Sequence, residues 1–166
     1  TGMSNVLRTG GVRSAAVVLT LDIAKGVLAV VIARVVIGTT AAEVAAALLA
    51  LAGHNWPVFL QFKGGRGILT ALGCLVLMAP VAAIIATATF LVITAWSRYI
   101  SLGSVVGVMI GAIAVLVLAL ADFYSNTYMI YGFIACAMIV WQHRDNIRRI
   151  RDGSERRLGQ PSTRVE

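Results

Sequence analysis

A polar, glycine-rich stretch, GHNWPVFLQFKGGRGILT, lies between two long apolar runs at residues 53–70. In it, Lys63 and Arg66 alternate with glycines directly before an apolar segment. Those glycines are Gly64, Gly65 and Gly67. Glycine lets backbone N–H groups approach a ligand closely, and the start of a helix adds partial positive charge to the two full charges. Because the spacing of a Walker A loop is absent, the stretch predicts a phosphate-type anion site of another kind. A basic turn without a ligand would explain the two cations but not the glycines.

The chain has two histidines, His54 and His143, and histidine is the natural general base near neutral pH. Each alone is more often a capping or interfacial group, and a pair without a third ligand argues against a zinc site. Asn5, Asn55 and Asn146 can both donate and accept hydrogen bonds, which suits a polyol or a carbonyl. A covalent acyl-enzyme is disfavoured, since no nucleophile elbow is present and neither cysteine has an activating neighbour.

The composition indicates an integral membrane protein that must position these groups at a bilayer. The 166 residues are 59% hydrophobic and 13% charged, whereas soluble domains average about 25% charged residues. The net charge is +7, and the basic residues concentrate after residue 143. This asymmetry predicts a cytoplasmic, membrane-facing end. It does not favour a nucleic-acid surface, because no aromatic residues are interleaved with the charges.

The apolar runs predict an all-α, polytopic transmembrane bundle, since a span needs about 20 apolar residues. Spans are predicted at 14–37, 41–60, 102–121 and 126–142. The run 68–96 is ambiguous, with Pro80 near its middle. If this run is a hairpin, nearly all Lys and Arg fall on one side, as the positive-inside rule prefers. That gives six spans, with Arg34 as an exception that is expected to extend to the outer interface.

The chain divides into a transmembrane domain at 1–150 and a basic cytoplasmic tail at 151–166. Within the first span, Asp22 and Lys25 share a helix face. They are either a structural ion pair or part of a functional site, and both interpretations remain open.

Four separated motifs carry a family resemblance. They are residues 2–8 (GMSNVLR), residues 53–67 (GHNWPVF followed by FKGGRG), the pair Ser101 and Ser104, and residues 143–159 (HRDNI with Gly153, Glu155 and Gly159). Together with the Asp22, Lys25, Gly26 pattern they cover nearly the whole chain in order. The sequence resembles the bacterial acyl-phosphate:glycerol-3-phosphate acyltransferases. Met3 and Ser4 stand where that family usually has Ala and Thr, and Arg66 stands where Lys is common.

The resemblance implies seven transmembrane helices in the intact protein. It also implies transfer of a fatty acyl group from acyl phosphate to the 1-hydroxyl of glycerol 3-phosphate, giving lysophosphatidic acid without metal or cofactor. The implied location is the bacterial inner membrane, with a cytoplasmic active site. Implied partners are the two substrates, the lipid bilayer and other phospholipid-synthesis enzymes, but no nucleic acid. Because the first helix and part of the first motif are absent, the native protein is expected to extend upstream.

Site roles follow from charge, spacing and resemblance. We assign the substrate phosphates to Arg8, Lys63, Arg66 and the backbone of Gly64, Gly65 and Gly67. We assign the substrate hydroxyl to His143 and Asn146, with His143 or the acyl phosphate itself accepting its proton. Further substrate contacts are assigned to Ser4, Asn5, His54, Ser101 and Ser104.

Two alternatives remain at this point. An anion or organophosphate transporter could use half-helix amino termini equally well, although transporters usually place such a site near the midplane between internal repeats. An inactive, truncated homologue could serve as a scaffold.

Overall fold

A computed structural model describes the backbone of residues 3–160, with side chains described at residue 6 and from residue 10 onward. This part of the chain contains seven α-helices, a 3-10 turn at Val58–Leu60 and no strand. The helices are α1 (Met3–Val36), α2 (Thr40–Asn55), α3 (Ile68–Met78), α4 (Pro80–Ser97), α5 (Ile100–Leu120), α6 (Tyr128–Gln142) and α7 (Arg144–Arg151). The predicted all-α architecture is confirmed for these residues.

Four segments of the described chain are long and apolar enough to cross a bilayer. They are Gly10–Val36, Thr40–Leu60, Pro80–Ser97 and Ile100–Leu120. The helices α3 and α6 are also apolar but shorter, with 11 and 15 residues. At 1.5 Å per residue α3 is only about 16 Å long. Length and composition therefore support four of the six predicted spans, and α3 and α6 do not meet this criterion.

The ambiguous apolar run is two helices that meet at Pro80. Ala79 has a non-helical conformation (φ −146°, ψ 74°), and Pro80 occupies the first turn of α4. Proline suits that position, because the first N–H groups of a helix have no intrahelical acceptor. The predicted division of this run at Pro80 is thus found in the structure.

Helix α5 packs closely against α4 through glycines at every fourth position. A Cβ atom at any of them would contact α4 at Phe90 or Ala86. The glycines are Gly103, Gly107 and Gly111. Small residues allow this approach of two backbones, as is typical of helix pairs in membranes.

An ionic cluster around the buried carboxylate of Glu43 joins three helices at one end of the bundle, which we call the Pro80 end. Arg34 of α1 forms a bidentate salt bridge to Glu43 of α2, with N–O distances of 2.8 and 2.9 Å. The Tyr128 hydroxyl of α6 donates to the same carboxylate at 2.8 Å, and Arg34 also donates to the Leu77 carbonyl. The side chain expected to extend to the outer interface is therefore paired within the bundle.

Candidate active site

A polar cavity of ≈ 1020 Å³ lies at the other end of the bundle, which we call the cavity end. Asp22 of α1 lines it and lies twelve residues, or about 18 Å of helix, from Arg34. The predicted site residues that line it are His54, Gly64, Arg66, Gly67, Ser101, Ser104, His143 and Asn146. Three polar motifs that are far apart in the sequence thus meet around one cavity.

Two predicted site residues of the described chain are not among the lining residues. Lys63 and Gly65 belong to the same loop but do not line the cavity. Ser4, Asn5 and Arg8 lie outside the described side chains. Asp22, whose role the sequence left open, also lines the cavity. Other polar lining residues received no site role from the sequence, namely Thr94, Arg149, Ser154, Glu155, Arg156, Arg157 and Gln160.

The glycines of the loop before α3 fit closely against the end of α2. The Gly64 and Gly65 N–H groups donate to the carbonyls of Asn55 and His54 at 3.2 and 3.1 Å. A Cβ on Gly64 would collide with these carbonyls, and one on Gly65 would collide with the His54 imidazole. Packing thus explains two glycines that the sequence argument assigned to ligand approach, and their N–H groups are already engaged.

The start of α3 remains as the source of backbone donors. Gly67 precedes the helix with φ of 81°, a left-handed conformation that glycine adopts easily. The first N–H groups of α3 have no acceptor within the helix. They lie at the helix end next to Arg66, which lines the cavity. Asn55 is fully buried behind this loop, and its amide has no partner among the described residues. An anion in the cavity would therefore be close to the full positive charge of Arg66 and to the partial positive charge at the start of α3.

His143 lies between α6 and α7 with only 2% of its surface exposed. Its Nδ1 is 2.8 Å from the Ile139 carbonyl oxygen. Because a carbonyl only accepts hydrogen bonds, Nδ1 carries the proton and Nε2 presents a lone pair. Burial lowers the pKa of His143 to about 4, so the imidazole is neutral at neutral pH.

Glu155, which follows α7, organises three other lining residues. Its carboxylate accepts hydrogen bonds from Ser101 at 2.6 Å, from the Asn146 amide at 2.6 Å and from Arg149 at 2.7 Å. Burial alone would raise the pKa of Glu155, but these hydrogen bonds and the charge of Arg149 lower it below its usual value. The ionised carboxylate leaves the Asn146 Oδ1 and the Ser101 oxygen as acceptors.

The chain after Glu155 folds back over the cavity. Leu158 and Arg98 exchange hydrogen bonds, with the Leu158 N–H 2.6 Å from the Arg98 carbonyl and the Arg98 guanidinium 2.8 Å from the Leu158 carbonyl. The Arg157 guanidinium lies 5.4 Å from the centre of the Tyr99 ring. Residues 154–160 therefore form part of the cavity wall.

An apolar cavity of ≈ 280 Å³ adjoins the polar one between the helices. Four residues line both cavities, namely Ile68, Leu69, Phe90 and Ser104. A molecule with a polar head and a hydrocarbon chain could occupy both at once, with its polar–apolar junction near these residues.

The predicted pairing of Asp22 with Lys25 is present, with Nζ 2.6 Å from the carboxylate. Lys25 Nζ also contacts His54 Nδ1. The cluster links α1 to the end of α2, and Asp22 and His54 line the polar cavity. The pair thus lies beside the polar cavity while linking two helices, and this position is compatible with both interpretations.

Sequence comparison places these features among known proteins. A family model described as glycerol-3-phosphate acyltransferase matches residues 1–153. A "Glycerol-3-phosphate acyltransferase 3" of Dehalococcoides mccartyi (strain CBDB1) is 44% identical, over 96% of this chain and 80% of the relative. A "Glycerol-3-phosphate acyltransferase" of Thermoanaerobacter sp. (strain X514) is 40% identical, over 96% and 78%.

Structure comparison agrees with the sequence matches. The crystal structure of PlsY (YgiH), an integral membrane glycerol 3-phosphate acyltransferase, in its glycerol 3-phosphate form, superposes with a TM-score of 0.88. The two chains are 32% identical, and the match covers 95% of this chain and 78% of the other. The lysophosphatidic acid form of that protein matches equally well, with a TM-score of 0.88. The resemblance drawn from the motifs is confirmed.

Proposed function

Since this chain belongs to the glycerol-3-phosphate acyltransferase family and transfers acyl groups to glycerol 3-phosphate in phospholipid synthesis, we propose that its donor is an acyl phosphate and its acceptor the 1-hydroxyl. The products are then lysophosphatidic acid and inorganic phosphate.

One observation carries this proposal, namely that the polar cavity is lined by both hydrogen-bond donors and acceptors. Arg66 and the start of α3 offer donors and positive charge, which suit phosphate. His143 Nε2, Asn146 Oδ1 and the Ser101 oxygen offer acceptors, which suit hydroxyl groups. A molecule that carries both a phosphate and hydroxyl groups fits this lining.

The acyl transfer itself needs little activation, because acyl phosphate is a mixed anhydride. The 1-hydroxyl oxygen attacks the acyl carbon while His143 Nε2 takes its proton, and the carbon–oxygen bond to phosphate breaks with its electron pair leaving on phosphate. Positioning can supply roughly 7–11 kcal/mol of the barrier reduction. Arg66 and the N–H groups of α3 stabilise the departing charge. Lys63, which is in the same loop but does not line the cavity, and Arg8 are proposed to add positive charge nearby.

Glu155 is proposed to position Asn146 and Ser101 for the substrate. By accepting from the Asn146 amide and the Ser101 hydroxyl, it fixes which of their atoms remain for the glycerol. Arg149 keeps the carboxylate ionised and oriented. We propose Ser4 and Asn5 as further glycerol or phosphate contacts at this end, on the strength of the first motif.

The acyl chain is proposed to lie in the apolar cavity, with its reacting carbonyl near Phe90 and Ser104. Each buried methylene favours binding by about 0.8 kcal/mol. This placement brings the acyl carbon to the boundary with the polar cavity, where the hydroxyl and His143 are.

We further propose that all six apolar helices cross the bacterial inner membrane, with the cavity end facing the cytoplasm. The charge distribution supports this orientation, because Lys63, Arg66, Arg98 and the basic residues of α7 belong to the cavity end. The short helices α3 and α6 would cross with their ends in protein-lined or hydrated surroundings.

The test uses the protein reconstituted in sealed vesicles and supplied with acyl phosphate, acyl-CoA or acyl carrier protein in separate assays. We expect lysophosphatidic acid acylated at the 1-position from acyl phosphate alone, with one phosphate released for each product and no glycerol 3-phosphate accumulated inside. Thr89→Val, at a partly buried residue that lines neither cavity, serves as the matched control and should retain activity. Turnover with acyl-CoA or uptake without acylation would overturn the proposal.

A further inference from the structure

The two histidines of the cavity have partners of opposite kinds at the same ring atom. His143 Nδ1 faces a backbone carbonyl, whereas His54 Nδ1 faces the Lys25 ammonium. A carbonyl can only accept a hydrogen bond, and an ammonium can only donate one. The two imidazoles are therefore held in opposite tautomers, with the proton on Nδ1 in His143 and on Nε2 in His54.

We propose that Lys25 and Asp22 are positioning residues that fix this tautomer of His54, so that its Nε2–H donates to a substrate phosphate. His54 then binds, while His143 accepts the hydroxyl proton. The assignment of the ligand rests on the proposed function, whereas the assignment of the tautomers does not.

The carboxylate of Asp22 orients the lysine for this task. Lys25 Nζ is 2.6 Å from Asp22 Oδ1, and the two residues are one helical turn apart on α1. Asp22 Oδ1 is also 3.5 Å from His54 Nδ1, which is longer than the lysine contact. The closer partner is the donor, so the lone pair of Nδ1 faces Lys25 and the proton is left to Nε2.

The position of Nε2 supports its role as a donor to the ligand. It is the ring atom nearest to the place where a side chain on Gly65 would begin, so it faces the loop that carries Arg66. Since His54 and Arg66 both line the polar cavity, a phosphate beside the loop could accept from both.

The first experiment reads the tautomers directly, by NMR of the membrane-embedded protein with ¹⁵N-labelled histidine at neutral pH. The chain has two histidines, and His54→Gln and His143→Gln assign the signals. We expect an Nε2–H tautomer for His54 and an Nδ1–H tautomer for His143. A His54 with its proton on Nδ1, or an imidazolium, would overturn the proposal.

The second experiment exploits the different reach of two amides. The nitrogen of Gln can occupy the Nε2 position of histidine, whereas that of Asn can only reach the Nδ1 position. We expect His54→Gln to keep KM for both substrates within about threefold. His54→Asn should raise KM for one of them about tenfold to hundredfold, the loss of a hydrogen bond to a charged group. Separate titrations of glycerol 3-phosphate and acyl phosphate identify which phosphate is bound.

Variants of Lys25 test the positioning role, with thermal unfolding measured to confirm that each is folded. Lys25→Arg keeps a donor-only cation and should keep the Nε2–H signal and KM. Lys25→Met should allow Nδ1–H in His54 and raise the same KM as His54→Asn. Equal KM values in His54→Gln and His54→Asn would refute phosphate binding by Nε2. Absence of acyl-phosphate turnover with the expected tautomers would refute the proposed function alone.

Discussion

Two glutamates, buried Glu43 and partly buried Glu155, lie at opposite ends of the bundle and have similar hydrogen-bond donors but different surroundings. Each accepts from an arginine and from a hydroxyl group. The donors to Glu43 are Arg34 and Tyr128, and those to Glu155 are Arg149, Ser101 and the Asn146 amide. Glu155 and its donors line the polar cavity, whereas Glu43 and its donors line neither of the two cavities described.

The difference shows that a buried ion pair in a membrane protein does not by itself mark a functional site. Intramembrane charges are usually functional, yet the cluster around Glu43 holds α1, α2 and α6 together with its hydrogen bonds satisfied. Only the cluster around Glu155 leaves acceptor atoms facing a space that a ligand can enter. The position of a charged cluster relative to a cavity therefore decides between the two interpretations.

The largest difference in kcat between variants at the two ends should come from His143, the proposed proton acceptor. His143→Gln removes the lone pair at Nε2 and should lower kcat by about 10²–10⁴, the usual contribution of a general base. Tyr128→Phe, at the Pro80 end, should keep kcat within about twofold and lower the thermal unfolding temperature. Steady-state kinetics in vesicles measure both, and a fully active His143→Gln enzyme would remove the catalytic distinction between the ends.

The glutamates themselves give the most direct test. Glu155→Gln should lower kcat/KM about hundredfold, because Asn146 and Ser101 lose a charged acceptor and can reorient. Glu43→Gln should keep kcat/KM within about threefold but reduce stability by about 1–3 kcal/mol. Kinetics and thermal unfolding of the two variants would contradict the comparison if their effects were exchanged or equal.

Gly53 and Gly65 belong to one motif, and alanine variants of the two should differ in KM and in stability by smaller amounts. Gly65→Ala forces the His54 ring away from the loop and should raise KM for a phosphate substrate about tenfold. Gly53→Ala meets nothing within 4 Å and lies in a helix, so it should stabilise the protein by about 0.5–1 kcal/mol with unchanged kinetics. Similar KM values in the two variants would show that the loop tolerates displacement.

The smallest expected effect is the dependence of folding stability on pH, which arises from His143 at the cavity end. His143 has a pKa of about 4 in the folded protein and 6.5 ordinarily, so between these values only the unfolded chain binds the proton. Stability must therefore fall as the pH drops through this window, by about 1 kcal/mol at pH 5.5. Thermal unfolding at pH 5.5 and 7 should show a smaller difference in His143→Gln than in the wild type. An unchanged difference would mean that His143 is not held neutral.

The sequence predicted the parts of the site that are local in the chain. His54, Arg66, His143 and Asn146 were identified from residue types and spacing, and all line the cavity. The division of the apolar run was predicted from the distribution of Lys and Arg, with Pro80 near the middle of the run. These features could be predicted because the motifs are local and the charges can be counted along the chain.

The parts that could not be predicted depend on contacts between distant segments. Glu155 matched a motif, but its role required knowing that Ser101 lies 2.6 Å away. The salt bridge of Arg34 required knowing how α1 and α2 pack, and spacing alone suggested an interfacial side chain instead. The reason for Gly65 likewise lies in the His54 ring, which the glycine pattern does not reveal.

The return of the chain from Glu155 to Leu158 has a consequence for biogenesis. These residues follow the apolar helices of the described chain, so the ribosome makes them after those helices. A nascent chain arrested near residue 150 would hold these helices but lack the carboxylate that accepts from Ser101 and Asn146. If the proposed role of Glu155 is correct, such a chain has no ordered acceptors for the substrate hydroxyl, and catalysis starts only after this segment is made.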